Sequence, residues 1–587
     1  MKKLRYVLLF LIVLIVGGYF YLIQDFSKTS SLIIYNGTII TMENQADKPE
    51  AIFVKDGVIQ MVGSKADVMQ LKESNTEMID LQGKTLMPGF IDPHTHPLVS
   101  ALLIDMVDVS GFTHKSPEEV WAHLAKEVRK FEPGTWVFCR GLDPILTKNL
   151  ASPHISKLDS IAPNNPLFIF AQTLHNYWAN SLAFKAVGVT AQTKDPSKTS
   201  FYEKDAQGKL TGMIVEQAAM TAFKTRIFEE IGQKKLIKNL AMVMDNYAKA
   251  GNTTIVTTGL TTFKKNIIKL CEHFSSEKPT LFGQGLATLN IFPDRKPAVR
   301  HFVYVRHDAQ HLLPDSPQNG DDFFKIVGVK YWYDGSPLAG SMYMRKPYFM
   351  SRLTRESIRI NSGHRGKYLI RPTQMVKIIE NLQKKGWQIA THAHGDQAID
   401  DVLWAYETAN KKATVKEFRH RLEHCMLLNE QNLKRMNTLN MTPSFHINFI
   451  YYYGDALKND ILGIERANRI LKANTAFKNQ VNPSLHADQP MYDSDPFSLM
   501  ATAVNRKTKE GEAIGPQEMI TVWQALQTMT INAAWQVKME NKIGSIKKGK
   551  YGDFVVLDQN PLKVDKASLR NIKILRTIVH GNTVFQK

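Results

Sequence analysis

Apolar and polar positions along the chain fall into three regimes. The first is an unbroken apolar run from Tyr6 to Ile23, preceded by Lys2, Lys3 and Arg5. As a helix it would extend about 27 Å, close to the roughly 30 Å hydrocarbon thickness of a bilayer. Positive charge ahead of the run predicts an N-terminus inside and the rest of the chain outside the cytoplasm. No A-x-A-like cleavage pattern appears; bulky Tyr19, Phe20 and Tyr21 follow Gly17 and Gly18. The expectation is an uncleaved signal anchor, a transmembrane helix over residues 1–30, holding the protein on the periplasmic or extracellular face. Secretion after signal cleavage is the alternative.

The second regime is alternation with period two, which predicts strands, and it occurs at both ends of the remaining chain. "SLIIYNGTIITM" and "AIFVKDGVIQMVG" alternate around turns at Asn36-Gly37 and Asp56-Gly57. Near the C-terminus, "GKYGDFVVLDQN" and "ILRTIVHGNTVF" do the same, the latter around His580-Gly581-Asn582. The third regime lies between these ends. Short apolar strands such as "NTTIVTTG", "FKIVGVKYW", "GWQIATHAH" and "MTPSFHI" alternate with amphipathic helical runs such as "TQMVKIIENLQKKG" and "EQNLKRMNTL". Strand–helix alternation predicts an α/β protein with a parallel sheet. The number of units suits a (β/α)8 TIM-type barrel with its active site at the C-terminal ends of the strands. A segment from about 109 to 220 carries strands and helices of its own and reads as an inserted α+β segment.

Composition changes this picture little. The 587 residues are 43% hydrophobic and 22% charged, as in ordinary globular proteins. A net charge of +19 arises from 74 Lys+Arg against 55 Asp+Glu, but the basic residues are scattered and no nucleic-acid-binding module accompanies them. No nucleic-acid partner is expected. Cys139, Cys271 and Cys425 are far apart and odd in number, which predicts unpaired thiols and no cysteine metal site.

Candidate chemistry sits in "PGFIDPHTHPL". His94 and His96 are two apart, so on a strand both imidazoles face one side and can reach one cation. That pair alone is common in loops. Its setting is more specific. "PGFIDPHTHPL", following a β-rich stretch, resembles the first-strand signature of the amidohydrolase superfamily. "IGSIKKGKYGDFVVLD" resembles the segment by which that superfamily returns to its small β domain. "GVKYWYDGS", "HAHGDQAI", "RHRLEHC" and "SLHADQP" resemble its fourth-, fifth-, sixth- and eighth-strand motifs, in the branch containing N-substituted formamide deformylases and YtcJ-like proteins. "GLDP", "HNYWANS" and "GKLTGMIVEQA" in the inserted segment fit the same branch.

The resemblance implies residues 31–87 and 541–587 as two parts of one small β-sandwich domain built from both chain ends. It implies residues 88–540 as a metal-dependent hydrolase barrel. It also implies His94, His96, Lys330, His392, His424 and Asp488 as metal ligands for one or two divalent ions, zinc the first expectation. Lys330 fits such a set only if carboxylated, because an ammonium repels a cation; unmodified, it reads as a salt-bridge lysine. His394 is two residues from His392, so either could face the site. His486 is placed to hydrogen-bond Asp488. His446, Asp455 and His175 are pocket candidates, whereas His273 and His307 read as surface residues.

The implied activity is hydrolysis of a small-molecule amide, formamide or cyclic imide-like C–N bond by metal-activated water. Asp488 would act as general base and then acid, with His424 or His394 facing the developing oxyanion. Two alternatives stand beside it. One is a deaminase of the same superfamily, against which Gly395 stands where a glutamate is typical. The other is a membrane-tethered binding protein with a silent barrel. Substrate identity and oligomeric state, a homo-oligomer included, stay open.

Overall fold

The computed structural model describes residues 31–197, 200–260, 262, 264–276, 298–317 and 320–587, together with Gly18 and Gly285. Eight parallel strands in it wrap into a nearly closed barrel. They are β1 (Phe90–Thr95), β2 (Asn252–Leu260), β3 (Arg300–Arg306), β4 (Phe324–Trp332), β5 (Gln388–Ala393), β6 (Arg421–His424), β7 (Thr442–Phe445) and β8 (Ser484–Leu485), paired in that order. Two backbone hydrogen bonds bridge the seam between the β8 end and β1. Asp488 N–H donates to His94 O (3.1 Å) and His96 N–H donates to Gln489 O (2.8 Å).

Nearly every residue of these strands is buried, as in a parallel sheet covered on both faces, although β1 and β6 carry charged and imidazole side chains within that burial. All nine residues of β2, "NTTIVTTGL", are buried. The helix Pro372–Lys384 shows how a connection is made. Proline occupies its first turn, and Met375, Val376, Ile379 and Leu382 form its buried stripe. Gly386 follows at φ 80°.

Two small sheets face each other, one built from the N-terminal stretch alone and the other from both chain ends. One contains Val58–Gly63, Ala51–Lys55, Ser31–Tyr35 and Glu77–Asp80. The other contains Thr38–Ile39, Thr85–Pro88, Phe554–Leu557, Ile574–Val579 and Asn582–Gln586. Leu32, Ile34, Val54, Leu86, Phe554 and Ile578 share the core between them. The Asp56-Gly57 and His580-Gly581 turns are two-residue hairpin turns with both φ values positive (52° and 74°; 51° and 75°). The Asn36-Gly37 turn is not a hairpin. Ser31–Tyr35 pairs in the first sheet and Thr38–Ile39 in the second, so the turn is the corner where the chain changes sheets.

Strand Thr85–Pro88 runs through Gly89 directly into β1. A side chain at Gly89 would collide with Thr253, so this passage needs glycine. A buried ion pair ties the same junction. Arg300 of β3 donates from Nε to Asp553 (2.7 Å) and from Nη2 (3.1 Å), with Phe323 and Tyr551 rings against its guanidinium.

Between β1 and β2 the chain builds a further six-stranded sheet, ordered Phe201–Lys204, Leu210–Val215, Asn176–Ala179, Leu167–Ala171, Val137–Leu142 and Val107–Asp108. Alternate residues fill two cores, one with Phe168, Phe170, Tyr177 and Ile214, the other with Cys139, Ile169, Trp178 and Met213. The chain returns to the barrel through helices Glu216–Ile231 and Gln233–Lys249.

The three cysteines are buried and unpaired. His307 is exposed, but His273 corrects the surface reading. It lies on the buried side of helix Lys265–Ser275, beside Leu270 and Phe274. Apart from Gly18, the anchor expected over residues 1–30 lies outside the described residues. Among those described, no helix is long and apolar enough to cross a membrane.

Candidate functional site

Histidines and carboxylates converge at the C-terminal ends of the barrel strands. His94 lies on β1 and His96 just after it. Lys330 lies on β4, His392 on β5 with His394 after it, and His424 ends β6. His446 follows β7, and His486 and Asp488 follow β8. Among the described residues, four sets of ligand-type atoms each lie within 4.8 Å of one another: His94, His424 and His486; His392, His394 and His424; His94, His96 and Asp488; His424, His446 and Asp488. The sequence-predicted residues His94, His96, His392, His394, His424 and Asp488 are therefore brought together. Lys330 is fully buried, with Nζ 3.5 Å from His94 Nε2 and the Trp332 ring beside it.

The strand period explains most of this. Residues two apart share a face, so Asp92, His94 and His96 point inward together, as do His392 and His394. At the end of β6 the period breaks. Glu423 and His424 are adjacent, yet both reach the site. Glu423 Oε2 is 2.6 Å from His94 Nδ1, and His424 Nδ1 is 4.0 Å from Asp488 Oδ2. A positive φ of 73° at His424 allows this, and Asp488 has a φ of 57°. Left-handed backbone at residues with a Cβ costs on the order of 1–3 kcal/mol each and clusters at functional sites.

Asp488 is held by several imidazoles. His96 Nε2 lies 3.0 Å from its Oδ1, His94 Nε2 3.4 Å from the same oxygen, and His446 Nδ1 3.7 Å from Oδ2. Burial alone would raise this carboxyl. The hydrogen bond from His96 works against that, and the carboxyl stays well below the usual carboxylate range. Burial pushes His94, His392, His394, His424 and His486 well below the ordinary imidazole value, so each is neutral with a lone pair to offer. Burial lowers the Lys330 ammonium to about 8.

Several supporting residues were not read from the sequence. Arg421, wholly buried, holds Glu423 from Nε (2.8 Å) and Nη2 (3.1 Å) and also donates to Pro93 O (2.8 Å). Glu423 thereby accepts from His94 Nδ1 and leaves His94 Nε2 facing Asp488 and Lys330, the orienting arrangement usual behind metal-binding imidazoles. Asp334 accepts backbone N–H groups from His394 (2.9 Å), Gly395 (2.9 Å) and Tyr343 (3.0 Å), fixing the end of β5. Asp92 takes Ser494 Oγ at 2.5 Å and His94 N at 3.2 Å, and burial raises its carboxyl to about 7. The signal for Arg421 and Glu423 was available in "RLEH", where charges two apart on a buried strand must face each other or a partner. His486 corrects another expectation. It bonds Ser444 Oγ (2.8 Å) and His424 Nδ1 (3.2 Å) rather than Asp488.

This barrel, with buried imidazoles and the Asp488 carboxylate at its mouth, defines a site suited to a divalent cation, and the comparisons give its family. The model of the amidohydrolase family matches residues 77–585, and the chain belongs to that family. It is 27% identical to the N-substituted formamide deformylase of Arthrobacter pascens, over 94% of this chain and 98% of that one. It is 26% identical to the protein LONG AFTER FAR-RED 3 of Arabidopsis thaliana, over 95% and 92%. Its fold matches the crystal structure of an uncharacterised metal-dependent hydrolase from Pyrococcus horikoshii, with a TM-score of 0.69 and 22% identity. That match covers 91% of this chain and 99% of the other.

Proposed function

We propose that this protein hydrolyses a non-peptide C–N bond in a small amide, formamide or cyclic imide with the help of one or two divalent metal ions. The observation that carries the reading is the convergence of His94, His96, His392, His394, His424 and Asp488 at one end of the barrel. These residues fit a metal by their own chemistry. Buried His392 Nε2, His394 Nδ1 and His446 Nε2 have no hydrogen-bond partner among the described residues, and imidazole with carboxylate is a donor set zinc accepts. We assign His94, His96, His392, His424 and Asp488 as ligands, with Lys330 joining them as its carbamate. When bound, the metal acidifies a water and polarises the substrate carbonyl.

The chain's own residues do the rest. Glu423 sets the His94 tautomer. Asp488, kept ionised by its imidazole neighbours, accepts the water's proton and passes it to the leaving nitrogen. His394, outside the assigned ligand set, is assigned to face the oxygen that gains charge. The full-length alignment with the deformylase supports N-substituted formamides as the first substrates to try. A deaminase reading is disfavoured at Gly395, where any side chain would collide with the backbone of Tyr343.

The test is a turnover screen of the full chain, loaded with zinc or manganese in detergent, against formamides, amides, lactams and carbamates. Asp488→Asn serves as the blank. Metal-dependent hydrolysis lost in the variant is the expected result. A metal-free protein that gains nothing on metal addition would favour the silent binding protein. We also propose that the catalytic domain sits outside the cytoplasm on its N-terminal anchor, supported by the charged-then-apolar order of the first 23 residues. Recovery of the full chain in the soluble cytosolic fraction would end that part.

A further inference from the structure

The inserted sheet brings one more polar pair to the barrel mouth. His175 stands in the loop between Leu167–Ala171 and Asn176–Ala179, and Glu216 begins the helix Glu216–Ile231. They are joined twice. Glu216 N–H donates to His175 O (2.7 Å), and His175 Nδ1 lies 3.1 Å from each Glu216 carboxylate oxygen. Glu216 holds this position at a φ of 63°, a left-handed conformation unfavourable for glutamate. Such strain at a side-chain-bearing residue persists only where its surroundings impose it.

The same loop is tied to the loop that carries Asp488. Gln172 Nε2, three residues before His175, donates to Met491 O (2.6 Å), three residues after Asp488. Asp143 of the insert accepts from Tyr453 OH (2.6 Å) in the helix after β7, a second tie across the mouth. His175 lies near enough for Asp488 to act on it electrostatically, and for it to act on His392 and His394. With Nδ1 committed to Glu216, Nε2 has no hydrogen bond among the described residues, and the side chain is 23% exposed.

We propose that His175, clamped by Glu216, is the insert's contact with the substrate, donating a hydrogen bond from Nε2–H to the oxygen that gains negative charge as the amide carbonyl is attacked. The proposal rests on the hydrolase reading above and adds a second donor, from a different element, to His394. Oxyanion sites work through donors placed before the reaction, and a carboxylate behind an imidazole fixes both its tautomer and its direction. Burial alone would lower the proton affinity of His175; the Glu216 carboxylate overcomes it and raises it.

The test uses the full chain loaded with zinc, with methylphosphonate as a tetrahedral anion probe followed by calorimetry, beside turnover of the best amide from the screen. His175→Asn and His175→Gln should keep full metal content, bind methylphosphonate about 10-fold or more weakly, and lose about 10²-fold in kcat/KM, chiefly in kcat. Glu216→Gln should show a smaller loss of both, because the imidazole remains but is no longer clamped. Wild-type affinity for methylphosphonate in either His175 variant overturns the proposal, as does failure of the zinc-loaded wild type to bind the probe. A wild-type protein that hydrolyses no amide yet binds methylphosphonate through His175 would remove the hydrolase reading and leave this contact standing.

Discussion

Two groups of buried histidines can be set side by side. His94, His392, His394, His424, His446 and His486 gather at the barrel mouth, while His301 and His420 lie deeper, among the strands. Burial lowers the proton affinity of both groups, to about 3 for His301 and His420 and to about 4 for His446. Both groups also contain ring nitrogens without a partner among the described residues. Neither burial nor an unpaired nitrogen therefore distinguishes them. The difference is what surrounds each ring. His301 Nε2 meets the Thr257 hydroxyl (2.6 Å), and His420 Nδ1 accepts from Ile389 N–H (3.0 Å), each a private bond inside the packing. The mouth histidines face one another and Asp488. Convergence on a common point marks a site, because several neutral donors crowded together gain from a shared cation what no single buried imidazole could.

The strongest way to break this contrast is at Asp488. Asp488→Asn should lower turnover by about 10²–10⁴-fold while leaving metal content nearly intact. His420→Gln should leave both turnover and metal content close to wild type. Equal loss of activity in the two variants would erase the distinction. Next, Glu423→Gln should cost about 3–5 kcal/mol in denaturant melts, because buried Arg421 loses its charged partner. It should also weaken metal affinity about 10–100-fold, because His94 loses its orienting carboxylate. A variant as stable as the parent, with unchanged metal titration, would deny that the pair supports the site.

Chelation should abolish turnover. It should also remove about 4 kcal/mol of stability relative to protein held at about a thousandfold excess of metal over its dissociation constant. Zinc or manganese should restore both, whereas His301 and His420 give chelators nothing to act on.

His301 and His420 have their own signature in acid. Their folded values lie below the ordinary 6.5, so their contribution to stability is full above pH 6.5 and is lost as pH falls toward about 3. At pH 5 each should cost about 2 kcal/mol, at 1.36 kcal/mol per pH unit. Melts of the His420→Gln variant should show a shallower acid limb than the parent. An identical limb would mean that His420 takes up no protons on unfolding.

The smallest effect concerns Lys330. Its ammonium, lowered to about 8, loses its proton progressively between pH 7 and 9, so the free amine needed for carboxylation increases about tenfold across that interval. Bicarbonate-dependent reactivation of protein stripped of metal and carbon dioxide should rise over the same range. Reactivation that is flat with pH and indifferent to bicarbonate would leave Lys330 an ordinary amine.

The α/β character, the β-rich ends and the individual candidates His94, His96, His392, His424 and Asp488 were legible in the sequence. Periods of two and 3.6 are properties of short windows, and the motifs lie on single strands or just past their ends. The partners were harder to see. Glu423 neighbours His424 in the chain, and regular strand alternation would send the two to opposite faces; only the left-handed turn at His424 brings both inward. His486 was placed beside Asp488 by spacing, but His424 and Ser444 lie closer across the barrel. His273 looked like a surface residue because its helix's buried face cannot be read from one polar residue.

The sequence by itself determined which residues could bind a cation and on which kind of element each would stand, because ligand chemistry and backbone period are local. Tertiary structure decided which of them meet, which carboxylate stands behind His94, and that the insert's loop before His175 is tied to the loop after Asp488. Those outcomes depend on closing eight strands into a ring and laying a separate sheet over it. That closure joins residues hundreds of positions apart, a distance across which no local pattern carries information.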